Sequence, residues 1–521
     1  MPANGLFLDL SIRANFNSAG MISNDEAVRG SSLTAIFFFA DIVLYVGIVV
    51  IIIILGLKYS SATPTTLTQL LLRTSIIFIY LSICINMAAL LFGLSYLSTH
   101  ELGLFSNSYT FSLFSQLAKL LALIFIGGFY AFFPSVYLTR MRVLELPLLI
   151  QIAAALCSTI ISSTNFATLL LALEGFSLIL YIMTTLGRSY GGVTAAVKYF
   201  AFGTLGSIFL FWGVIHIYTL VPSLNFAVSN TLLQQSFFES ANLSNALEFA
   251  TTSIAFGFML KLGAAPMHQW VADVYAGSHI FITSFFAIFV KFILFVAFLH
   301  IAVYFNCDAL MKLCIMLSLV VGCVLSVRQT EIKRLIAYSS IVHVAFLLMG
   351  DASSSLIYIL TYTISSFLLF SVLLNLQIAG KELIYLNDLR FIRSTSHMQT
   401  LYLVVALASS AGLPPFAGFY GKFLVWSSLI EDIYLSNNAT TYVILFLSIA
   451  VSLISIFYYM RVIAYLFIGN DSNVQSAHVG SHSNTFLNST TILVQTLLSI
   501  LIIFWTFVQL WLLGVVGCVV L

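Results

Sequence analysis

The sequence predicts an all-α integral membrane protein of about fourteen transmembrane helices, each long enough to cross a bilayer core about 30 Å thick. Three observations support this. Of the 521 residues, 61% are hydrophobic and 7% are charged, whereas a soluble domain carries about a quarter charged residues. Long apolar runs recur from Thr34 onwards. The basic residues between the runs concentrate on alternate loops.

The apolar runs define the helices in order, because about 20 consecutive apolar residues are needed to span a bilayer. Charged, Gly/Pro or Asn/Ser stretches separate them. The runs lie at residues 34–57, 71–97, 112–133, 146–164, 166–186, 193–219, 247–268, 280–303, 308–327, 333–350, 354–378, 400–428, 441–468 and 487–518. Residues 1–33 lack the basic and apolar regions of a secretory signal and are interpreted as an exposed polar tail.

The distribution of basic residues tests this helix count, because loops on the cytoplasmic or matrix side carry an excess of Lys and Arg. Loops after odd-numbered helices, with their helix ends, contain Lys58, Arg73, Arg140, Arg142, Arg188, Arg328, Lys333, Arg334, Lys381, Arg390, Arg393 and Arg461. The opposite side has Arg13, Arg29 and Lys312 and is otherwise acidic. Both termini are therefore predicted to face away from the cytoplasm or matrix.

Several classes of function are disfavoured by composition. The six cysteines form no C-x-x-C pair, which removes the usual spacing for zinc or an iron–sulfur cluster. A net charge of +2 gives no indication of nucleic-acid binding. The dinucleotide-binding pattern G-x-G-x-x-G is missing from the sequence. We therefore expect no metal and no redox cofactor in this chain.

Charged residues inside the predicted helices need an explanation, since a charge near the bilayer centre costs at least about 2.5–3.5 kcal/mol. They are Asp41, Glu174, Lys198, Lys261, Lys291 and Lys422. A structural ion pair, or a lysine reaching to the interface, is the alternative interpretation for any one of them. Lysine readily loses its proton on burial, whereas arginine stays charged. A row of lysines with one glutamate therefore favours a proton relay. Lys119 is interpreted as structural, and Asp41 has no evident partner.

Two of these helices carry helix breakers beside the lysine. Lys261-Leu-Gly-Ala-Ala-Pro266 and Gly412-Leu-Pro-Pro-Phe-Ala-Gly-Phe-Tyr-Gly-Lys422 fall in the seventh and twelfth helices. Proline frees backbone groups at membrane depth, where they must face protein or water. A spacing of five helices is typical of an inverted repeat, here helices 4–8 and 9–13. The alternative is two proline-kinked helices that arose separately.

Two histidines lie near these elements, His268 after Pro266 and His343 in Tyr338-Ser-Ser-Ile-Val-His343. Histidine titrates near neutral pH and can pass protons. Both are interpreted as relay support, although a lone histidine in a helical bundle more often hydrogen-bonds a neighbour. His216 and His300 are interpreted as structural.

Five motifs together resemble a known family. They are Leu171-Ala-Leu-Glu174-Gly-Phe-Ser-Leu, Ala196-Val-Lys198-Tyr-Phe, the stretch from Lys261 to Gly277, the stretch from Glu331 to His343, and the stretch from Gly412 to Lys422. In this order, over about residues 140–470, they resemble chain 2 of NADH:ubiquinone oxidoreductase, respiratory complex I, an antiporter-like membrane subunit of the Mrp-related family. The N-terminal tail and the predicted 223–246 loop have no counterpart.

The resemblance implies fourteen helices, discontinuous helices 7 and 12, and a proton path near mid-membrane. By motif position, Glu174 and Lys261 resemble the family's Glu–Lys pair and Lys291 the lysine that links two half-channels. Lys422 resembles the lysine of the far half-channel, and Lys198 an additional lysine of helix 6. The corresponding domains would be 1–33 tail, 34–133 helices 1–3, 134–470 proton-translocating core, and 471–521 loop and helix 14.

The resemblance further implies a non-redox subunit of a proton-translocating enzyme complex, with NADH, FMN, iron–sulfur clusters and ubiquinone on other subunits. Expected partners are the other membrane-arm subunits, including sister antiporter-like chains, and lipids such as cardiolipin, without nucleic acid. The alternatives are a subunit of an Mrp-type sodium/proton antiporter and a purely structural subunit. The Phe-, Tyr- and Ile-rich composition favours the mitochondrial inner membrane, with both termini toward the intermembrane space, over a bacterial plasma membrane.

Overall fold

A computed structural model of the chain describes a discontinuous set of residues. They are 41–54, 70, 73–81, 83–85, 102–104, 108–138, 145–187, 189–236, 241–302, 307–378, 381–391, 397–436, 438–467 and 489–505. The predicted tail, residues 1–33, lies outside the described residues.

Helices make up most of the described chain, as the long apolar runs predict. In chain order they are α1 Asp41–Ile54, α2 Arg73–Ile85, α3 Leu113–Leu138, α4 Leu146–Ser162, α5 Phe166–Thr185, α6 Tyr190–Leu220, α7 Phe226–Ser236, α8 Ala241–Leu262, α9 Gln269–Gly277, α10 Ile280–Phe285, α11 Lys291–Ala302, α12 Asp308–Val327, α13 Ile332–Met349, α14 Ala352–Asn375, α15 His397–Ala411, α16 Ala417–Ser436, α17 Ala439–Phe467 and α18 Ser489–Ile503.

A few short elements connect the helices. A π-helical turn, Phe286–Val290, joins α10 to α11, and a 3-10 helix covers Leu386–Phe391. The short strands form two antiparallel hairpins, β1 Leu102–Leu104 with β2 Tyr109–Phe111, and β3 Gln377–Ile378 with β4 Lys381–Glu382. The fold is thus essentially all helical.

Eight helices in the described ranges are long and apolar enough to cross a membrane. Shorter apolar helices, α1, α2, α4 and α18, accompany them. An integral membrane protein of many helices is what the composition predicts. The total of fourteen stays a prediction, because parts of several predicted spans lie outside the described residues.

The helical segment α10–α11 lies at the centre of the bundle. Every residue of its 23-residue span except His300 is buried inside the protein, as expected for a helix that is apolar on every side. Phe129 of α3 packs against it, with its ring centroid 5.8 Å from that of Phe281 and 5.3 Å from that of Phe285. The other helices therefore surround the segment that carries Lys291.

The first predicted break separates α8 from α9 and follows from glycine and proline chemistry. Gly263 has φ +76°, a conformation that glycine adopts without steric cost. The amides of Gly263 and Ala264 both donate to the carbonyl of Met259, at 3.0 Å each, which is a typical helix C-terminus. The Ala265–Pro266 peptide bond is cis.

The second predicted break separates α15 from α16 and repeats this geometry. Gly412 has φ +82°. The amides of Gly412 and Leu413 both donate to the carbonyl of Ala408, at 3.2 and 3.1 Å. The Pro414–Pro415 bond is cis, and Pro415 occupies the same place after its glycine as Pro266 does after Gly263. The discontinuity of predicted helices 7 and 12 is therefore confirmed.

A second pair of matched features supports the internal repeat. Asn165, before α5, forms an isolated antiparallel bridge with Asn225, after α6. Glu331, before α13, forms the same kind of bridge with Tyr385, after α14. In each case backbone hydrogen bonds on both sides of the bridge tie the start of one helix to the segment after the next. The two units predicted from the helix breakers thus have matching backbone bridges at a helix start as well as matching helix breaks.

The prediction of a loop at residues 223–246 is wrong. Helix α7 covers Phe226–Ser236, and α8 begins at Ala241. Asn225 accepts a hydrogen bond from the amide of Ala227 through its side chain, at 3.1 Å, which favours a helix start there. Polar residues such as Asn230 and Gln234 lower the hydropathy of α7 without preventing a helix.

Candidate functional site

Glu174 and Lys261 form an ion pair inside the bundle. Nζ of Lys261, in the last turn of α8, lies 3.2 Å from Oε1 of Glu174 on α5. The lysine side chain is 7% exposed and the glutamate side chain is 30% exposed. Gly206 of α6 allows the lysine to approach, since a Cβ there would lie 3.3 Å from Cγ of Lys261. A carboxylate at this distance stabilises a protonated lysine.

A small cavity adjoins Lys261. Its polar wall includes Ser177, Tyr181, Tyr199 and Trp270 in addition to Lys261. The indole Nε1 of Trp270 donates to the carbonyl of Leu260, at 3.0 Å, and so ties α9 to the last turn of α8. The lysine therefore faces a mostly apolar space into which Ser177, Tyr181 and Tyr199 bring hydroxyl groups.

Lys291 lies at the centre of the bundle, directly after the π-helical turn. Its side chain is buried, and Nζ donates to the carbonyl of Ser340 on α13, at 3.1 Å. The same atom lies 5.8 Å from the ring centroid of Tyr362. π-helical turns are rare in proteins, and those that occur are often found at functional sites.

A second small cavity lies beside His343. Its lining residues are mostly hydroxyl-bearing: Ser339, Ser340, Tyr362, Ser365, Ser366, Ser410 and Tyr459. Nδ1 of His343 lies 2.7 Å from the Tyr358 hydroxyl, and Nε2 lies 3.2 Å from the Tyr459 hydroxyl. The histidine thus bridges α14 and α17 through two buried tyrosines.

Lys422 lies against the second break. Its ammonium donates to the carbonyl of Ala411, at 2.8 Å, and to the hydroxyl of Ser455, at 3.4 Å. The side chain is 3% exposed. In the described part of the chain, no carboxylate forms an ion pair with Lys422 or Lys291.

Lys198 and His268 lie apart from the buried lysines. Lys198 of α6 forms an ion pair with Asp273 of α9, and these side chains are 52% and 42% exposed. His268 immediately precedes α9 and is partly exposed. Among the described residues, no hydrogen bond or ion pair joins His268 to another predicted relay residue.

Sequence reasoning missed three partners that the structure supplies. Asp273 pairs with Lys198, and Tyr358 and Tyr459 hold His343. Asp273 could have been noticed in the sequence, because it is the one acidic residue in the otherwise apolar stretch after Trp270. The tyrosines carried no such signal, because tyrosine is common throughout this sequence.

The structure also pairs the charge that had no evident partner. Oδ2 of Asp41 lies 2.7 Å from Nζ of Lys119, and the side chains are 9% and 1% exposed. The pair joins α1 to α3, outside the two five-helix units. This agrees with the structural interpretation of Lys119.

Comparison with known proteins fits this arrangement. A family model described as "NADH:quinone oxidoreductase/Mrp antiporter, TM" matches residues 163–455, more than half of the chain. The chain belongs to this family. The resemblance that the motifs indicate, to an antiporter-like membrane subunit of complex I, is therefore confirmed.

Two relatives illustrate the similarity of this chain to known proteins. NADH-quinone oxidoreductase subunit N of Paramagnetospirillum magneticum is 29% identical over 374 residues, which cover 69% of this chain and 75% of that protein. A chain of respiratory complex I from Thermus thermophilus is 27% identical, with a TM-score of 0.71 over 90% of this chain and 98% of that chain.

A chain of the Mrp complex from Dietzia sp. is 16% identical and has a TM-score of 0.73 over 94% of this chain and 97% of that chain. At this identity the similarity concerns the fold alone. The chain is thus a multi-pass membrane protein, homologous to subunits of a respiratory oxidoreductase complex and sharing its fold with a chain of the Mrp complex.

Proposed function

We propose that this chain is a proton-translocating, non-redox membrane-arm subunit of NADH:ubiquinone oxidoreductase. The observation that supports it best is the set of three lysines, Lys261, Lys291 and Lys422, buried in one bundle. Burying even one ammonium is costly, and a structural role would favour a carboxylate for each. Only Lys261 of the three has one among the described residues.

The first step of the proposed relay is a change at the Glu174–Lys261 pair. While the carboxylate lies 3.2 Å away, it stabilises the protonated lysine. Quinone reduction elsewhere in the complex would separate the two groups, and burial then disfavours the charged form. Binding linkage requires that whatever separates the pair also changes its proton occupancy.

The second step passes through Lys291 toward Lys422. Lys291 contacts Ser340 and Tyr362, and both residues border the cavity of His343. Hydroxyl groups and an imidazole can accept and donate protons in turn, directly or through water. Lys422 lies at the far end, against the carbonyl of Ala411.

The flank that carries Lys198 and Asp273 indicates a partner subunit. Half-exposed charges on the side of a membrane bundle are strongly disfavoured against acyl chains. Many apolar side chains of α6 are also exposed there, including Val197, Ile208 and Trp212. We propose that other membrane-arm subunits, including sister antiporter-like chains, cover this flank, with lipids such as cardiolipin at the rim.

The cofactors of the proposed complex, NADH, FMN, iron–sulfur clusters and ubiquinone, belong to other subunits in this proposal. We place the chain in the mitochondrial inner membrane, with both termini toward the intermembrane space. The segregation of basic residues supports this orientation. The bacterial plasma membrane is the alternative location, and the relatives from Paramagnetospirillum magneticum and Thermus thermophilus are bacterial.

A single lysine substitution tests the proposal. In sealed membrane vesicles that contain the complex, Lys261→Met is expected to lower NADH-driven proton uptake severalfold. Arg334→Gln is the matched control, because it removes a cation that lies on the surface, 44% exposed, with Glu331 as its partner. Unchanged uptake in Lys261→Met would contradict the relay and favour a purely structural subunit.

An Mrp-type sodium/proton antiporter is the second candidate, and the fold similarity to the Mrp complex supports it. It makes an opposite prediction about the driving force. Sodium-dependent proton transport without NADH oxidation would support the antiporter. Proton uptake that requires NADH and quinone, and that is indifferent to sodium, would support the respiratory subunit.

A further inference from the structure

The two helix breaks allow the sequences of the two repeats to be aligned residue by residue. Gly263 and Gly412 share the same φ and hydrogen-bonding pattern, and a cis proline stands third after each glycine. Counting the same number of residues onward from each glycine brings Asp273 of α9 into the position of Lys422 of α16. The first unit therefore has an acid where the second unit has its terminal lysine.

The helix beside each break can be placed in register in the same way. Tyr199 of α6 and Tyr362 of α14 line the two cavities. The residues immediately before them are Lys198 and Thr361. In the second unit Thr361 does lie next to the lysine position, since a Cβ on Gly421 would lie 2.7 Å from its hydroxyl.

Lys198 and Asp273 thus occupy, in the first unit, the place of Thr361 and Lys422 in the second. The charge arrangement differs between the two places. Lys422 is buried against a carbonyl and a hydroxyl, whereas Lys198 has a carboxylate and half its surface exposed. The first unit therefore has a cation paired with a carboxylate where the second unit has a buried lysine held by a carbonyl and a hydroxyl.

The ion pair also joins α6 to α9, the short helix after the break. Gly277 of α9 lies so close to Gly191 of α6 that a Cβ would be 2.5 Å from the Gly191 carbonyl oxygen. One turn before Asp273, the ring of Trp270 lies 5.0 Å from that of Tyr199 and forms part of the Lys261 cavity wall. A shift of α9 would therefore move a wall of that cavity.

We propose that Asp273 is a positioning residue of the relay: as the counter-ion of Lys198, it holds α9 against α6 and so fixes the cavity wall at Lys261. The proposal rests on the function proposed above. Asp273 acts through Lys198 and Trp270, and it does not itself carry the translocated proton.

The test uses charge removal and charge exchange in the intact complex. Asp273→Asn and Lys198→Met are each expected to lower NADH-driven proton uptake severalfold, with NADH oxidation by an artificial acceptor unchanged. Asp273→Glu keeps the carboxylate and is expected to retain most of the uptake. The double variant that exchanges the charges, Lys198→Asp with Asp273→Lys, is expected to restore most of it. The exchanged pair keeps one carboxylate and one ammonium between α6 and α9.

Glu331→Gln is the matched control, because it breaks another partly exposed ion pair, with Arg334, outside the relay. A loss of assembled complex with unchanged uptake per complex would overturn the proposal, since it indicates a stabilising role alone. Failure of the exchanged pair to restore uptake would also overturn it.

Lys261→Met separates this proposal from the proposed function. If Lys261→Met abolishes uptake and Asp273→Asn leaves it unchanged, Asp273 has no positioning role and the relay stands. If Lys261→Met leaves uptake unchanged, the relay itself is refuted.

Discussion

The buried pair of Asp41 and Lys119 allows a quantitative prediction about stability. The two charged atoms are 2.7 Å apart and the side chains are 9% and 1% exposed. Breaking a buried ion pair by removing one partner costs about 3–5 kcal/mol, because an uncompensated charge stays buried. Asp41→Asn is therefore expected to lower the free energy of unfolding by about 3–5 kcal/mol.

Replacing both residues is expected to have a much smaller effect. Asp41→Leu with Lys119→Met removes both charges and keeps similar volumes, and such exchanges are often neutral or stabilising by about 1–4 kcal/mol. The double variant should therefore be more stable than Asp41→Asn alone. Equilibrium unfolding in detergent micelles, followed by tryptophan fluorescence, measures all the variants.

Glu331→Gln again provides the control, because an exposed ion pair contributes only about 0–1 kcal/mol. Its pair with Arg334 is partly exposed. If the double variant proved as unstable as Asp41→Asn, or if Asp41→Asn matched Glu331→Gln, the argument from charge burial would be refuted.

Two further predictions concern the backbone. Gly263→Ala is expected to reduce the yield of folded protein, measured by fluorescence-detected size exclusion. A left-handed backbone costs a non-glycine residue about 1–2 kcal/mol, and the new Cβ would also lie 2.4 Å from the Val271 side chain. Arg461→Met should lower the unfolding midpoint in detergent. The guanidinium of Arg461 donates to the carbonyls of Val327 at 2.6 Å and Gln329 at 2.8 Å, and a hydrogen bond to a charged group contributes about 1.5–3 kcal/mol. Unchanged yield or midpoint would contradict the respective prediction.

Hydropathy and helix breakers predicted the fold well because both act locally. The predicted span 308–327 coincides with α12, and the breaks lie at Gly263 and Gly412 as the Gly/Pro stretches indicate. The same method failed at residues 223–246. There α7 is a helix of moderate polarity, which packing and a helix cap favour and which hydropathy alone does not detect.

The candidate site was predictable in its residues and largely unpredictable in its pairings. Glu174 and Lys261 were matched from the family resemblance, and the structure brings them together. The pairing of Lys198 with Asp273, 75 positions apart, depends on how α9 folds back after the break. No periodicity within one helix contains that information.

The π-helical turn before Lys291 has a consequence for engineering. An α-helix turns about 100° per residue, so the one extra residue in a wide turn changes the direction of every side chain that follows. Deleting one residue from Phe286–Val290 would restore regular winding and swing the ammonium of Lys291 by about that angle, away from the Ser340 carbonyl. The direction of the Lys291 side chain thus depends on the backbone conformation of Phe286–Val290. In homologous chains that have this lysine but a regular α-helix before it, the side chain would point in another direction.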